Sequence, residues 1–149
     1  MAIAFHSEDT TFDIAGHKRA VAAWMRAAVA EEEFRTGDIH VIFCSDAYLL
    51  EMNRRYLQHD YYTDIITFDY TADSVLSGDL FISVDTVRAN AEQFGVVFHV
   101  ELLRVIIHGI MHLTGYKDKT ETDAAKMRER ENHYLNKRPD DLLTHVKHY

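Results

Sequence analysis

His108 and His112 stand four positions apart in the stretch Val105 to Asp118, VIIHGIMHLTGYKD. Residues four apart on a helix are neighbours, with Cβ atoms about 5–6 Å apart, so both imidazoles can reach one ion. Gly115 follows, and glycine readily takes the left-handed conformation that ends a helix. A chain turning back there brings Asp118 toward the same point. Two helical histidines, a glycine turn and a carboxylate six residues on make a candidate three-ligand metal site. The chain holds ten histidines, so about one pair at this spacing arises by chance. The plain alternative is therefore a pair of helix histidines satisfied by hydrogen bonds. The apolar run Val105-Ile106-Ile107 and the carboxylate beyond the turn favour the ion, because adjacent buried imidazoles need partners.

Three protein ligands leave a coordination position for water, and zinc lowers the pKa of such a water toward ~7. Structural zinc sites are usually closed by four protein ligands, and the segment offers no fourth. Hydrolysis of a phosphodiester beside the ion is therefore chemically reasonable, with the choice between a metal-bound water and a ribose 2′-OH as the attacking group left open and no side chain singled out as nucleophile. Zinc proteases of the H-E-x-x-H type carry a glutamate base directly after the first histidine. Gly109 occupies that place here, which disfavours peptide hydrolysis by that route and lets another chain segment or a substrate approach the helix.

The run His108-Gly109-Ile110-Met111-His112-Leu113-Thr114-Gly115-Tyr116 resembles the signature of the YbeY family, bacterial metal-dependent endoribonucleases of ribosomal RNA maturation. A second block is similar as well: Met52-Asn53-Arg54-Arg55-Tyr56, then Asp60, then Thr63-Asp64-Ile65-Ile66-Thr67-Phe68. A third, Gly78-Asp79-Leu80-Phe81-Ile82-Ser83, matches the family's next strand. The blocks occur in the family's order and span about Asp46 to Gly115. The resemblance implies one divalent ion, zinc first, held by His108, His112 and Asp118.

Two positions depart from the family. It usually closes its metal motif with Asp-His, where Lys117-Asp118 stands here, so the third ligand becomes a carboxylate. Leu57 occupies the place of an arginine thought to serve substrate binding or catalysis, and Arg54 or Arg55 is the expected stand-in. Asp64 and Asp79 fall within the similar blocks and are expected to take the N–H of a ligand histidine, or else to serve as turn carboxylates. Arg55, Asp64 and Asp79 are therefore the supporting catalytic candidates, and Arg54, Arg55 and Lys117 the candidate RNA contacts.

The whole chain sets the frame for that site. Its 149 residues fit one domain, 1–149, with the tail 140–149 left unassigned. A net charge of −8 argues against a generic nucleic-acid binder, since RNA affinity rests largely on neutralised phosphates. Basic residues near the motif blocks (Arg54, Arg55, Arg104, Lys117, Lys119) would have to act locally. The single cysteine, Cys44, excludes an intramolecular disulfide and reads as strand packing in a reducing compartment. No signal segment opens the chain and no apolar run nears the ~20 residues of a membrane helix, so the cytoplasm is expected.

Periodicity supplies the elements. Strands are predicted near 2–5, 39–44, 63–70 and 76–83, the last two as an antiparallel pair. Helices are predicted over His17–Phe34, with Trp24 in the core, and over Ala47–Tyr56, capped by Ser45 or Asp46. Further helices follow: one capped by Asp85 and running to Phe94, the motif helix Val100–Leu113, and a last one opened by Thr120 and stopping before Pro139. Interleaved strands and helices indicate an α+β class, and the resemblance implies a small mixed sheet with the metal beside the motif helix. His59 and Asp60 read as exposed loop residues, and Tyr61 and Tyr62 as a pair that straddles the two faces of the coming strand, with base stacking the alternative. The other histidines, His148 among them, show no ligand spacing.

The function expected is a single-strand-preferring, metal-dependent endoribonuclease of 16S rRNA processing and ribosome maturation, with ribosomal RNA or the small subunit as partner. The alternatives are a non-catalytic ribosome-assembly factor with a structural metal, or a metal-dependent hydrolase of another substrate. A two-His, one-carboxylate set also admits nickel, iron or manganese, and oligomeric state is not legible.

Overall fold

β-Branched and aromatic residues cluster at the ends of two long segments, Ile39, Val41, Ile42 and Phe43 in Arg35–Cys44 and Phe81 and Ile82 in Val75–Ser83, and these segments pair as the middle of a sheet. The computed structural model describes residues 2–146. Along them run β1 (Ile3–Ser7), α1 (Lys18–Glu31), β2 (Arg35–Cys44), α2 (Asp46–Leu57), β3 (Ile65–Asp69), β4 (Val75–Ser83), α3 (Val84–Phe94), α4 (Phe98–Thr114) and α5 (Glu121–Asn136). The strand order is β1-β2-β4-β3. β1, β2 and β4 are parallel, and β3 lies antiparallel to β4 at the margin of the sheet. The α+β class and its four strands are those expected from the sequence pattern, and the mixed sheet is the one the resemblance implies.

Strand alternation sends successive side chains to opposite faces. Ile39, Val41 and Phe43 of β2 and Leu76, Leu80 and Ile82 of β4 join the main core, which α1, α4 and α5 also enter. Cys44, Ile66 and Phe81 belong to a smaller cluster that Leu49 of α2 completes on the other face. α4 is apolar on nearly every side, and Leu102, Leu103, Ile106, Ile107, Ile110 and Met111 are fully buried. Burying each such side chain contributes about 1.5–3 kcal/mol, so the motif helix is also the central strut. A β-carbon on Gly109 would lie 2.9 Å from both Ile65 Cδ1 and Leu80 Cδ2. The glycine therefore admits a chain segment: it lets α4 rest on β3 and β4, which carries His108 and His112 to the β3 margin.

Several expectations shift. α1 ends at Glu31, because Glu33 takes a positive φ of 67°, and β2 begins at Arg35 rather than 39. α3 is capped by Ser83, whose hydroxyl accepts from Thr86 N at 3.1 Å, not by Asp85. Ser45 and Thr120 cap α2 and α5 as expected. The tail is not inert: Leu142 and Leu143 are buried in the main core. His148 and the rest of 147–149 lie outside the described residues. Among the described residues no single helix is long and apolar enough to cross a membrane.

Candidate metal centre

α4 stops where Gly115 takes a φ of +110°. There Gly115 N donates to His112 O at 3.1 Å and Tyr116 N to Met111 O at 3.0 Å. The chain then doubles back. Nε2 of His108 lies 3.1 Å from Asp118 Oδ2, Nε2 of His112 lies 3.4 Å from the same oxygen, and the two Nε2 atoms are 2.9 Å apart. Among the described residues these three side chains form the one His, Cys, Asp or Glu group able to hold a metal ion.

The outer ring nitrogens explain why the inner ones converge. His108 Nδ1 donates to Glu131 Oε2 at 2.8 Å, and His112 Nδ1 donates to the backbone carbonyl of Tyr116 at 3.0 Å. Both partners only accept, so each neutral ring is left with an unprotonated Nε2. Two imidazole lone pairs and a carboxylate oxygen then face one another, an arrangement that a cation resolves. Two ligands of a tetrahedral zinc at ~2.0–2.1 Å lie roughly 3.3 Å apart, which matches this triangle. The donor set therefore fits a divalent ion.

Burial opposes charge on His108, but the hydrogen bond and charge of Glu131 outweigh it and raise the pKa. Burial, then the neighbouring His108, lowers that of His112. Glu131, only 4% exposed, would be pushed up by burial, yet His108 and Arg104 hold it below the usual carboxylate range. Arg104 Nη1 donates to Glu131 Oε1 at 3.1 Å.

The histidine pair opens into a cleft of about 590 Å³ along the β3 margin, lined also by Leu57, His59, Tyr61, Asp64, Thr67 and Lys119. His59 is thus part of the cleft wall, stacked on Tyr61 with centroids 5.1 Å apart. Asp64 faces the cleft and burial raises its pKa, but the histidine N–H groups go to Glu131 and Tyr116 instead. Asp79 and Arg55 do not line this cleft; they line a separate cavity of about 750 Å³ with Phe81 and Tyr48 of the α2 side. Strand alternation explains Asp79, since its neighbours Gly78 and Leu80 face α4. Arg54 is paired with Asp60 at 2.5 Å and Arg55 with Glu51 at 3.5 Å, and neither lines the cleft. Leu57 itself lines it. Lys117 is exposed beyond the cleft wall, where Lys119 is the lysine in place. Arg104 is paired with Glu101 and Glu131.

Glu131 escaped the sequence reading. Its signal was present: with Met127, Tyr134 and Leu135 it shares the buried stripe of α5, and a glutamate in such a stripe needs a partner. Cys44 is a packing thiol, fully buried and pushed up to about 12 chiefly by burial.

A family model described as Endoribonuclease YbeY matches residues 2–138. A Parabacteroides distasonis protein named endoribonuclease YbeY is 53% identical over 141 residues, covering 95% of this chain and 99% of its own length. A Flavobacterium johnsoniae protein of the same name is 47% identical over 123 residues, covering 83% of this chain and 88% of its own. The solution structure of TM1509 from Thermotoga maritima aligns with a TM-score of 0.66 at 26% identity, over 91% of this chain and 87% of that one.

Proposed function

The chain belongs to the endoribonuclease YbeY family, and on that premise we propose that it cuts single-stranded RNA in a metal-dependent reaction beside His108, His112 and Asp118. The observation that carries this reading is the convergence of three acceptor atoms, 2.9 to 3.4 Å apart, at the mouth of an open cleft. Zinc suits the two nitrogens and one oxygen and their spacing. A divalent ion held there supplies Lewis acidity toward a phosphoryl oxygen and toward water.

The chain's own groups do the rest. Lys119 places a positive charge in the cleft wall to meet a phosphate. The stacked His59 and Tyr61 present a flat face to an unpaired base, consistent with a preference for single strands. Asp64 sits in the same wall with a carboxyl that burial keeps in its protonated form more than usual. That form can give a proton to the leaving ribose oxygen. In this reading the substrate is ribosomal RNA, the step is processing of the 16S precursor during ribosome maturation, and the protein works in the cytoplasm.

The test is cleavage of an RNA with unpaired segments by purified protein and by His112→Ala. Cleavage is expected only with the parent protein. Equal cleavage by both would mark a contaminating nuclease and overturn the assignment. RNA binding without cutting, together with unfolding on chelation, would instead favour an assembly factor with a structural metal.

A further inference from the structure

Arg130 and Glu131 are consecutive residues of α5, and successive side chains on a helix point about 100° apart. Here the two directions lead to the two histidines by separate routes. Glu131 reaches His108 directly, its Oε2 accepting from Nδ1 at 2.8 Å while Arg104 Nη1 holds the other oxygen at 3.1 Å. Arg130 Nη2 donates to Glu32 Oε2 at 2.7 Å, and Tyr134 hydroxyl donates to the same oxygen. Glu32 Oε1 in turn accepts from the Tyr116 hydroxyl at 3.0 Å. The Tyr116 carbonyl is the atom that receives His112 Nδ1.

From this juxtaposition we infer that α5 is the brace of the metal centre, with Glu131 and the Arg130–Glu32–Tyr116 chain as positioning groups that set how tightly the ion is held. The physical reason lies in ring orientation. An imidazole turning about its χ2 bond exchanges the position of Nε2 for that of a carbon. A hydrogen bond at Nδ1 forbids that turn and fixes the tautomer that leaves Nε2 bare. Glu131 also makes its ring a better donor to a cation. Its carboxylate is almost wholly buried, and a buried carboxylate is costly unless paired; Arg104 and His108 supply the pairs. The second route anchors the residues after Gly115 from outside the helix, so the carbonyl of Tyr116 and the backbone leading to Asp118 are held together. The routes run through different groups: Glu131 bonds to Arg104 and His108, whereas Glu32 bonds to Tyr116.

This inference rests on the metal reading above, and its test separates the two. Zinc affinity is measured by competition with a chromophoric chelator for the full-length protein, Glu131→Gln and Tyr116→Phe, the latter removing only a hydroxyl. Glu131→Gln is expected to bind about ten- to a hundredfold more weakly, and Tyr116→Phe several-fold more weakly. Thermal melting with and without zinc gives a readout that a purely structural residue would not move. A residue that only stabilises the fold lowers both melting temperatures alike, whereas a positioning residue shrinks the rise that zinc produces. Wild-type affinity in either variant, or an unchanged rise, overturns the inference alone. No zinc binding by the parent protein would overturn the metal reading and the inference with it.

Discussion

Nδ1 of His112 and the backbone carbonyl of Tyr116 meet at 3.0 Å, so the turn that stops α4 is also the support of an imidazole. The turn depends on Gly115 at φ +110°. An alanine there is strained, with a stability loss of about 1 kcal/mol or more, and the carbonyl moves with the strained backbone. Gly115→Ala should lower both the melting temperature and zinc affinity. An unchanged affinity would show that the carbonyl is not what holds the ring.

Asp118 supplies the one oxygen of the triangle. Removing it leaves two nitrogens, and Asp118→Ala should lose stoichiometric zinc in elemental analysis. Asp118→His puts a nitrogen donor in place of the oxygen and should keep the metal. Retention of zinc by the alanine variant would move the third ligand elsewhere.

Leu57 lines the cleft, whereas Arg54 and Arg55 are turned to Asp60 and Glu51. Leu57→Arg should therefore place a cation where none of those two reaches. RNA affinity is expected to rise, and the slope of log affinity against log salt to steepen by about one phosphate contact. An unaltered slope would place the RNA path away from Leu57.

Acid should weaken the junction of α1 and α5. Hydrogen bonds from Lys137 and then His133 hold the Glu31 carboxyl down to about 2, against an ordinary value of 4.5. Burial pushes Glu32 up, but Tyr134, Arg130 and Tyr116 outweigh it and leave it lowered. A carboxyl with a depressed folded-state pKa binds protons more readily in the unfolded chain. Its stabilisation is therefore complete above the unfolded value and drains away as pH falls through it toward the folded one. Melting temperature should fall from about pH 4.5 downward, and Glu32→Gln should melt lower at neutral pH with a shallower acid decline. Parallel acid declines in parent and variant would exclude Glu32 as a source.

Position 109 faces Ile65 and Leu80 rather than the cleft. Introducing the protease glutamate there would bury an unpaired carboxylate in the core, which is strongly destabilising. Gly109→Glu should express poorly or melt far below the parent, and should hydrolyse no peptide. A well-folded, peptide-cleaving variant would contradict the packing of α4 on β3 and β4.

The sequence by itself determined what depends on near neighbours along the chain. His108 and His112 were legible because the helical repeat alone brings residues four apart together, and Asp118 because a glycine turn reverses the chain within a few residues. The strands, most helices and two caps followed from the same local rules. Only the tertiary structure decided which distant groups serve those residues. Glu131 comes from another helix, and Glu32 from the far end of α1. Asp79 and Arg55 went to the other cavity because strand pairing and the seating of α2 set the face of each, and neither is encoded in spacing. Leu142 and Leu143 entered the core by a turn that no periodic pattern announces. Local geometry is fixed by bonds and sterics a few residues long, whereas hydrogen-bond partners across the fold are chosen by what the burial of apolar faces happens to bring within 3 Å or so.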